Sequence, residues 1–372
     1  MRTYLDAGGR APVHPVAREA FLAALDDGWA DPRRVHAEGR RARLLLDAAR
    51  ETFAEALGAR TAEVHLTPGH TASLHAAVAA TTRARRRVGT RVVLPAVERA
   101  AVIAAARAAG EAVVVGVDRA GRVDLDAWRA AVGATTALAV LQHANGEVGT
   151  RQPVAEAHAH ALAARVPLLV DAGASVGHVD VGADWDVLAA DPPDWGGVPG
   201  VGVLAVRARV RTAPVGPEDE DPWAPGGVSV PAAVAGAAAL RAVLAERAAP
   251  DPRAALVARI RERVAATVPD VEVVGDPDHR LPHVVTFSCL YVDGEALLGA
   301  LDRRGFAVGS GSACTSSSLE PSHVLAAMGV LTHGNVRIAL PRNVTAEQVD
   351  AFLAVLPEVV AEVRGAVGAG GL

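Results

Sequence analysis

The chain of 372 residues contains no lysine, and all 37 of its basic Lys-or-Arg positions are arginine. This absence limits the chemistry, because a lysine amine forms Schiff bases with carbonyl groups. An arginine guanidinium stays protonated and is not nucleophilic. The sequence therefore excludes every reaction that needs a Schiff base on a lysine of this chain.

Cysteine is scarce as well, with Cys289 and Cys314 as the only two. Two thiols in contrasting sequence settings do not make a disulfide framework. Cys289 ends an apolar strand pattern and is predicted to be a buried small residue. Cys314 lies in a run of Gly, Ser and Thr, which is typical of an accessible loop, so it is the one candidate for thiol chemistry.

The sequence also lacks long apolar runs: no stretch of about 18 uninterrupted apolar residues occurs, and the N-terminus has no apolar signal-peptide core. We therefore expect a cytoplasmic protein without membrane association. The net charge is −5, and the basic run at residues 83–87 is predicted to solvate a helix end, so nucleic acid is not expected as a partner. The histidine spacings do not fit metal ligands, and no metal site is expected.

Short apolar runs alternate with helical patterns between residues 60 and 206, which predicts parallel strands joined by crossover helices. A segment rich in Pro, Gly and acid, residues 214–231, reads as an exposed loop. Helices and strands then follow in the order of a smaller α+β domain. We therefore predict a large α/β domain over residues 15–235, and a small domain over residues 1–14 and 236–372.

Three segments carry a family resemblance: Ser310–Leu325 around Cys314, Gly334–Leu340 around Arg337, and Val170–Gly177 around Asp171. They resemble the cysteine desulfurases of the class V aminotransferase group, which belongs to the fold-type-I pyridoxal phosphate enzymes. The resemblance implies a mainly parallel sheet in the large domain, a smaller α+β C-terminal domain that carries the cysteine loop, and a homodimer.

The resemblance also implies roles for individual residues. Cys314 would take sulfur from a cofactor-bound cysteine and become a persulfide, or else belong to an inert inherited loop. Arg337 would grip the substrate carboxylate, or else form an ordinary surface ion pair. Asp171 would pair with the pyridinium nitrogen of the cofactor, and Thr71 and Asn145 would be further cofactor contacts.

Several cofactor positions depart from the family pattern together. Asp194 stands where the family has its Schiff-base lysine, and Asp191 stands at a phosphate-binding serine. Arg99 replaces the histidine that stacks on the cofactor ring, while Gly146 and Ala174 replace two ring contacts. A carboxylate repels a phosphate dianion, so we expect no cofactor, or pyridoxal phosphate bound only non-covalently.

Three functions remain open. The first is a persulfide relay or regulatory partner that uses Cys314 and works with an active desulfurase or a sulfur acceptor protein. The second is a desulfurase or lyase that binds pyridoxal phosphate without a covalent bond. The third is a binding module whose vacated cleft takes another small ligand.

Overall fold

The computed structural model describes residues 2–217, 221–247, 250–311 and 321–366, and Cys314 lies outside the described residues. The helices are α1 (Pro15–Asp27), α2 (Ala37–Leu57), α3 (His70–Ala84), α4 (Ala100–Ala109), α5 (Leu125–Ala131), α6 (Val154–Ala163), α7 (Val230–Glu246), α8 (Arg253–Thr267), α9 (Gly294–Arg303), α10 (His323–Met328) and α11 (Ala346–Ala366). The strands are β1 (Thr3–Tyr4), β2 (Val64–Thr67), β3 (Arg91–Pro95), β4 (Ala112–Val115), β5 (Thr136–Gln142), β6 (Leu168–Asp171), β7 (Val187–Ala190), β8 (Gly202–Val206), β9 (Val271–Val274), β10 (Val284–Cys289), β11 (Phe306–Ala307) and β12 (Asn335–Ala339).

A seven-stranded sheet forms the large domain, with the strand order β2-β8-β7-β6-β5-β3-β4. The predicted α/β class and mainly parallel sheet are confirmed. One strand corrects the prediction, because β8 runs antiparallel to both of its neighbours, β2 and β7. The reason is local: only a 3₁₀ turn at Pro192–Trp195 lies between β7 and β8, and a parallel return needs a longer crossover connection.

Both faces of this sheet are buried. Alternate side chains of β5 pack on opposite faces of the sheet. Ala139 and Leu141 belong to one apolar cluster, while Leu138 and Val140 belong to another. This explains why the strands read as continuous apolar runs rather than alternating ones. Helix α7 packs into the first cluster through residues as late as Val243, so the predicted boundary at residue 236 falls inside this helix.

The smaller domain is built around a three-stranded antiparallel sheet with β10 at its centre. Helices α8, α9 and α11 pack against it in a separate apolar cluster that includes Phe287 and Phe352. Strand β1 pairs with β11, which ties the N-terminus to this domain. Among the described helices, none combines the length and the apolar character needed to cross a bilayer.

The backbone just before α3 lies in close contact with the backbone at the start of β8. A Cβ atom at Gly202, the first residue of β8, would overlap the carbonyl group of Gly69, which immediately precedes α3. Glycine at 202 therefore allows the start of α3 to lie directly against the sheet. This contact places His70 beside the carboxyl ends of β6 and β7.

Candidate active site

The candidate site lies where the carboxyl ends of the parallel strands meet, the usual position of a binding site in an open α/β sheet. Asp171 is the last residue of β6, and Asp191 and Asp194 follow β7. His70 begins α3, and Arg99 directly precedes α4. The sequence-predicted positions 99, 171, 191 and 194 are thus brought together in one cleft.

Asp171 is buried and fully hydrogen-bonded by protein groups. Its Oδ1 accepts bonds from His70 Nε2 at 2.8 Å and from the Gly173 amide at 2.9 Å, and its Oδ2 accepts one from Arg99 Nε at 3.0 Å. Burial alone would raise the pKa of Asp171, but the nearby His70 and Arg99 outweigh burial and hold it well below its usual range. Asp171 is therefore ionised, with its own side-chain partners already in place.

Arg99 is the counter-charge for more than one carboxylate. Its pKa is raised mainly by the charge of Asp171, with further contributions from Asp191 and Asp194. Arg99 Nε donates to Asp171 Oδ2 at 3.0 Å, so this carboxylate already pairs with a cation of the chain itself. A pyridinium nitrogen pairing with Asp171 would compete with the guanidinium, and displacing Arg99 would leave the acidic groups without their cation.

Glu98 is a buried acid that the sequence analysis did not single out. Its Oε1 accepts a bond from the Gln142 amide at 2.5 Å, while its Oε2 has no partner among the described residues. Burial and the negative charge of Asp171 raise the pKa of Glu98 to about 8, so the group is mostly neutral at pH 7. The sequence feature that could have identified Glu98 is an acidic residue shortly after an apolar strand and immediately before Arg99.

Asp191 is a partly exposed acid at the carboxyl end of β7. Burial raises its pKa to about 6, opposed in part by His70 and increased further by Asp194. Because burial is the main cause, the raised pKa reports a poorly solvated carboxylate rather than the local balance of charge. A phosphate dianion next to Asp191 would be repelled whenever this carboxylate is ionised, and Thr71 is an exposed residue of α3.

Asp194 holds the N-terminal segment against the large domain. It is only 3% exposed, and its Oδ1 accepts a 2.7 Å bond from the Gly9 amide. Two backbone hydrogen bonds also hold the N-terminal segment to the turn around Asp194: the Ala11 amide donates to the Pro193 carbonyl, and the His14 amide donates to the Gly196 carbonyl. Asp194 therefore has a structural task that a lysine could not perform, since an ammonium group accepts no hydrogen bond.

His178 lies behind Asp194 and stacks on His283 with ring centroids 3.9 Å apart. His178, Asp194 and His283 bring potential metal-ligand atoms within 4.8 Å of one another. However, His178 Nδ1 accepts from Arg253 Nη2 at 3.3 Å, so the neutral ring carries its proton on Nε2, which donates to the Asp194 main-chain carbonyl at 3.1 Å and lies 3.4 Å from Asp194 Oδ2. The proton and the adjacent guanidinium disfavour a metal cation, and the absence of a metal site stays a prediction.

Asn145 is buried and engaged within its own turn. Its Oδ1 accepts bonds from the Glu147 and Val148 amides at 2.8 and 2.9 Å, and its Nδ2 donates to the Val97 carbonyl at 3.0 Å. The side chain thus fixes the shape of the loop after β5. It has little hydrogen-bonding capacity left for a cofactor ring.

Arg337 lies on β12 and faces the N-terminal segment. Its Nη2 donates to Asp6 Oδ1 at 2.8 Å and to the Gly8 carbonyl at 3.2 Å, while its Nε is buried without a partner in the described part of the chain. Arg337 and Asp194 therefore hold adjacent residues, Gly8 and Gly9. The guanidinium is partly committed, and a substrate carboxylate would compete with Asp6 for it.

The described residues on either side of positions 312–320, which include Cys314, are hydrogen-bonded to other parts of the chain. At one end the Gly311 amide donates to Asn335 Oδ1 at 2.9 Å. At the other end Ser322 Oγ donates to Glu147 Oε1 at 2.6 Å, and His323 Nε2 donates to the Glu98 carbonyl at 2.8 Å. Burial raises the pKa of Glu147.

The other cysteine is structural. Cys289 is fully buried in β10, as predicted, and burial raises the pKa of its thiol to about 11. Its thiolate is therefore scarce at neutral pH, and a thiol of this kind is unreactive.

A family model for class V aminotransferases matches residues 3–352 of this chain. Among curated relatives, a cysteine desulfurase IscS from Dictyoglomus turgidum is 32% identical, with 97% of this chain and 95% of the relative covered. A cysteine desulfurase from Cereibacter sphaeroides is 34% identical, with 98% and 97% covered.

Solved structures are similar over the same length. A NifS-like protein superimposes with a TM-score of 0.87 at 24% identity, over 97% of this chain and all of that one. DndA from Streptomyces lividans superimposes with a TM-score of 0.76 at 28% identity, over 91% of this chain and 99% of that one. The first of these likenesses concerns the fold alone.

Proposed function

The chain belongs to the cysteine desulfurase family of class V aminotransferases, and on that premise we propose that it is a sulfur-transfer protein that has given up the family's cofactor chemistry. Enzymes of the family work with pyridoxal phosphate. In our proposal this chain instead accepts sulfur on Cys314 from an active desulfurase or regulates such an enzyme. It is therefore a pseudoenzyme with respect to cysteine desulfuration.

One observation carries this proposal: the residue at the lysine's position is built into the protein's own framework. Asp194 accepts the Gly9 amide at 2.7 Å and lies 3.4 Å from His178. No lysine exists elsewhere in the sequence to take over a Schiff base. If the lysine had been lost by a single substitution, the rest of the site would still fit the cofactor. Here Asp194, the residue in its place, has hydrogen-bond partners of its own.

The remaining cleft residues also do not fit pyridoxal phosphate. Arg99 is already bonded to Asp171, the residue that would pair with a pyridinium nitrogen, and Asp191 adds a negative charge at the expected phosphate edge. Asn145 is engaged by backbone groups of its own turn. We therefore derive no step of the function through this cofactor.

A persulfide relay needs only one exposed thiol and an anchored loop. The Cys314 thiolate would attack the outer sulfur of a donor persulfide, forming one S–S bond while the donor's thiolate leaves. This exchange consumes no oxidant or reductant. The bonds of Gly311 to Asn335 and of Ser322 to Glu147 support it, because they hold both ends of the Cys314 segment.

We further propose a homodimer that uses the α1–α2 side of the large domain. Large apolar side chains are exposed there, with Trp29 70%, Val35 86% and Leu44 70% accessible. A cleft of about 800 Å³ lies alongside, lined by residues 28–33 and 226–231. Apolar clusters of this kind on a soluble protein mark interaction surfaces, and light scattering of wild type and Trp29→Glu tests the assignment.

The relay is tested by intact-mass spectrometry after incubation with a persulfide-loaded active desulfurase. We expect the wild-type chain to gain the mass of one sulfur atom and Cys314→Ser to gain none. Cys289→Ser serves as the matched control and should still gain the sulfur, because Cys289 is buried. Equal labelling of wild type and Cys314→Ser would refute the relay.

A further inference from the structure

A second charged cavity lies far from the cleft, at the opposite edge of the large sheet. This surface pocket of about 280 Å³ is formed where β6 and β7 begin and β8 ends. Its walls carry four arginines, one acid and an apolar floor; we call it the arginine pocket and define it by Arg85, Arg165, Arg209, Arg211 and Asp186. Its volume suits a small group rather than a drug-sized ligand.

The negative groups nearby do not balance these four arginines. Arg85 caps the C-terminus of α3 and Arg165 follows the end of α6, and each helix C-terminus carries roughly half a negative charge. Asp186 supplies one more, and Arg209 Nε donates to its Oδ1 at 2.8 Å. About two of the four positive charges therefore remain uncompensated.

The unbalanced charge is concentrated on Arg85 and Arg211. Arg85 donates one bond to the Arg165 carbonyl at 3.0 Å, but its Nε is buried without a partner among the described residues. Burial lowers the pKa of Arg85, and the neighbouring Arg211 lowers it further. Arg211 itself makes no hydrogen bond or ion pair within the described ranges.

The backbone at this place is also held in an unusual conformation. Arg165 has φ of 57°, in the left-handed region that a non-glycine residue seldom adopts. Its carbonyl is the acceptor for Arg85. Arg165 is the left-handed residue of the C-terminal cap of α6, in which its amide bonds to the Leu162 carbonyl and the Val166 amide bonds to the Ala161 carbonyl. This cap gives the Arg85 guanidinium an acceptor in a fixed position.

We propose that the arginine pocket binds the phosphate or diphosphate group of a small molecule. Guanidinium groups donate paired N–H bonds that match phosphate oxygens, and an anion between Arg85 and Arg211 would remove their mutual repulsion. Asp186 is already paired with Arg209, so it does not compete for the other arginines. The site is independent of the proposed sulfur transfer.

The test is calorimetric titration of the full chain with inorganic phosphate and with pyrophosphate, at two salt concentrations. We expect saturable binding that weakens with salt, since exposed charges are screened. Arg211→Ala should weaken binding about tenfold, the size of one charge-assisted hydrogen bond. Arg263→Ala, an exposed arginine on α8 in the other domain, is the control and should bind as wild type does.

Arg211→Glu separates loss of the site from loss of the fold. A carboxylate beside Arg85 should abolish phosphate binding and leave the thermal midpoint equal to or above that of wild type. Binding that is absent in wild type, or unchanged in Arg211→Glu, would overturn the proposal. Tighter binding of a DNA oligonucleotide than of pyrophosphate would overturn the small-molecule assignment.

Discussion

Replacing Asp194 should damage the fold rather than reopen the site. Asp194→Ala removes the carboxylate that accepts the Gly9 amide at 2.7 Å and leaves that amide without this partner, while His178 Nε2 keeps its bond to the main-chain carbonyl of residue 194. A lost hydrogen bond to a charged group costs about 1.5–3 kcal/mol, and Asp194 is buried, so water does not replace it easily. We expect urea unfolding to show a loss of about 2–3 kcal/mol.

Two variants make this expectation specific. Asp194→Asn keeps an oxygen acceptor for Gly9 and should lose about 1 kcal/mol or less. Asp194→Lys should be the least stable of the three, because its ammonium would be buried without an acceptor, close to the Nε2–H of the neutral His178 and to the charge of Arg253 beyond it. Asp184→Ala, at a half-exposed acid, is the control and should stay within about 0.5 kcal/mol of wild type. If Asp194→Ala were as stable as this control, the structural role of Asp194 would be refuted.

Three further results are expected. The raised pKa of Glu98, about 8, means that its share of folding stability falls as pH rises from its unfolded-state pKa toward 8; Glu98→Gln should flatten the dependence of the thermal midpoint on pH in that window, and an unchanged slope would contradict this. Asp191, with a pKa of about 6, costs stability when ionised, so Asp191→Asn should stabilise the protein at pH 8 and have little effect at pH 5; the reverse order would be inconsistent with carboxylate repulsion. Glu147→Ala removes the acceptor of the Ser322 hydroxyl, which keeps only its bond from the Leu325 amide, and should cost about 1–3 kcal/mol in urea unfolding; a neutral result would show that the contact does not anchor the start of α10.

The sequence predicted the fold well because its strands are buried on both faces. Runs such as Val187–Ala190 read directly as strands and appear at those residues. The direction of β8 could not be predicted in this way, since an apolar run has the same composition whether it lies parallel or antiparallel. Its direction depends on the short 3₁₀ connection at Pro192–Trp195, which forms around Asp194.

The site was predictable in position but not in its internal bonding. The register of the family motifs placed Asp171, Asp191 and Asp194 near one another. It did not indicate that Asp194 accepts an amide from Gly9, because that contact joins residues 185 positions apart. Nor did it indicate that Glu98 is neutral, since that property arises from burial and from the charge of Asp171.

The central claim is that this chain has no desulfurase activity of its own. Its most direct test is the formation of alanine and sulfide from L-cysteine by the purified protein with added pyridoxal phosphate, beside a Cys314→Ala control. The account predicts no turnover above the control. Turnover by wild type that disappears in Cys314→Ala would contradict it and establish a desulfurase that works without the lysine.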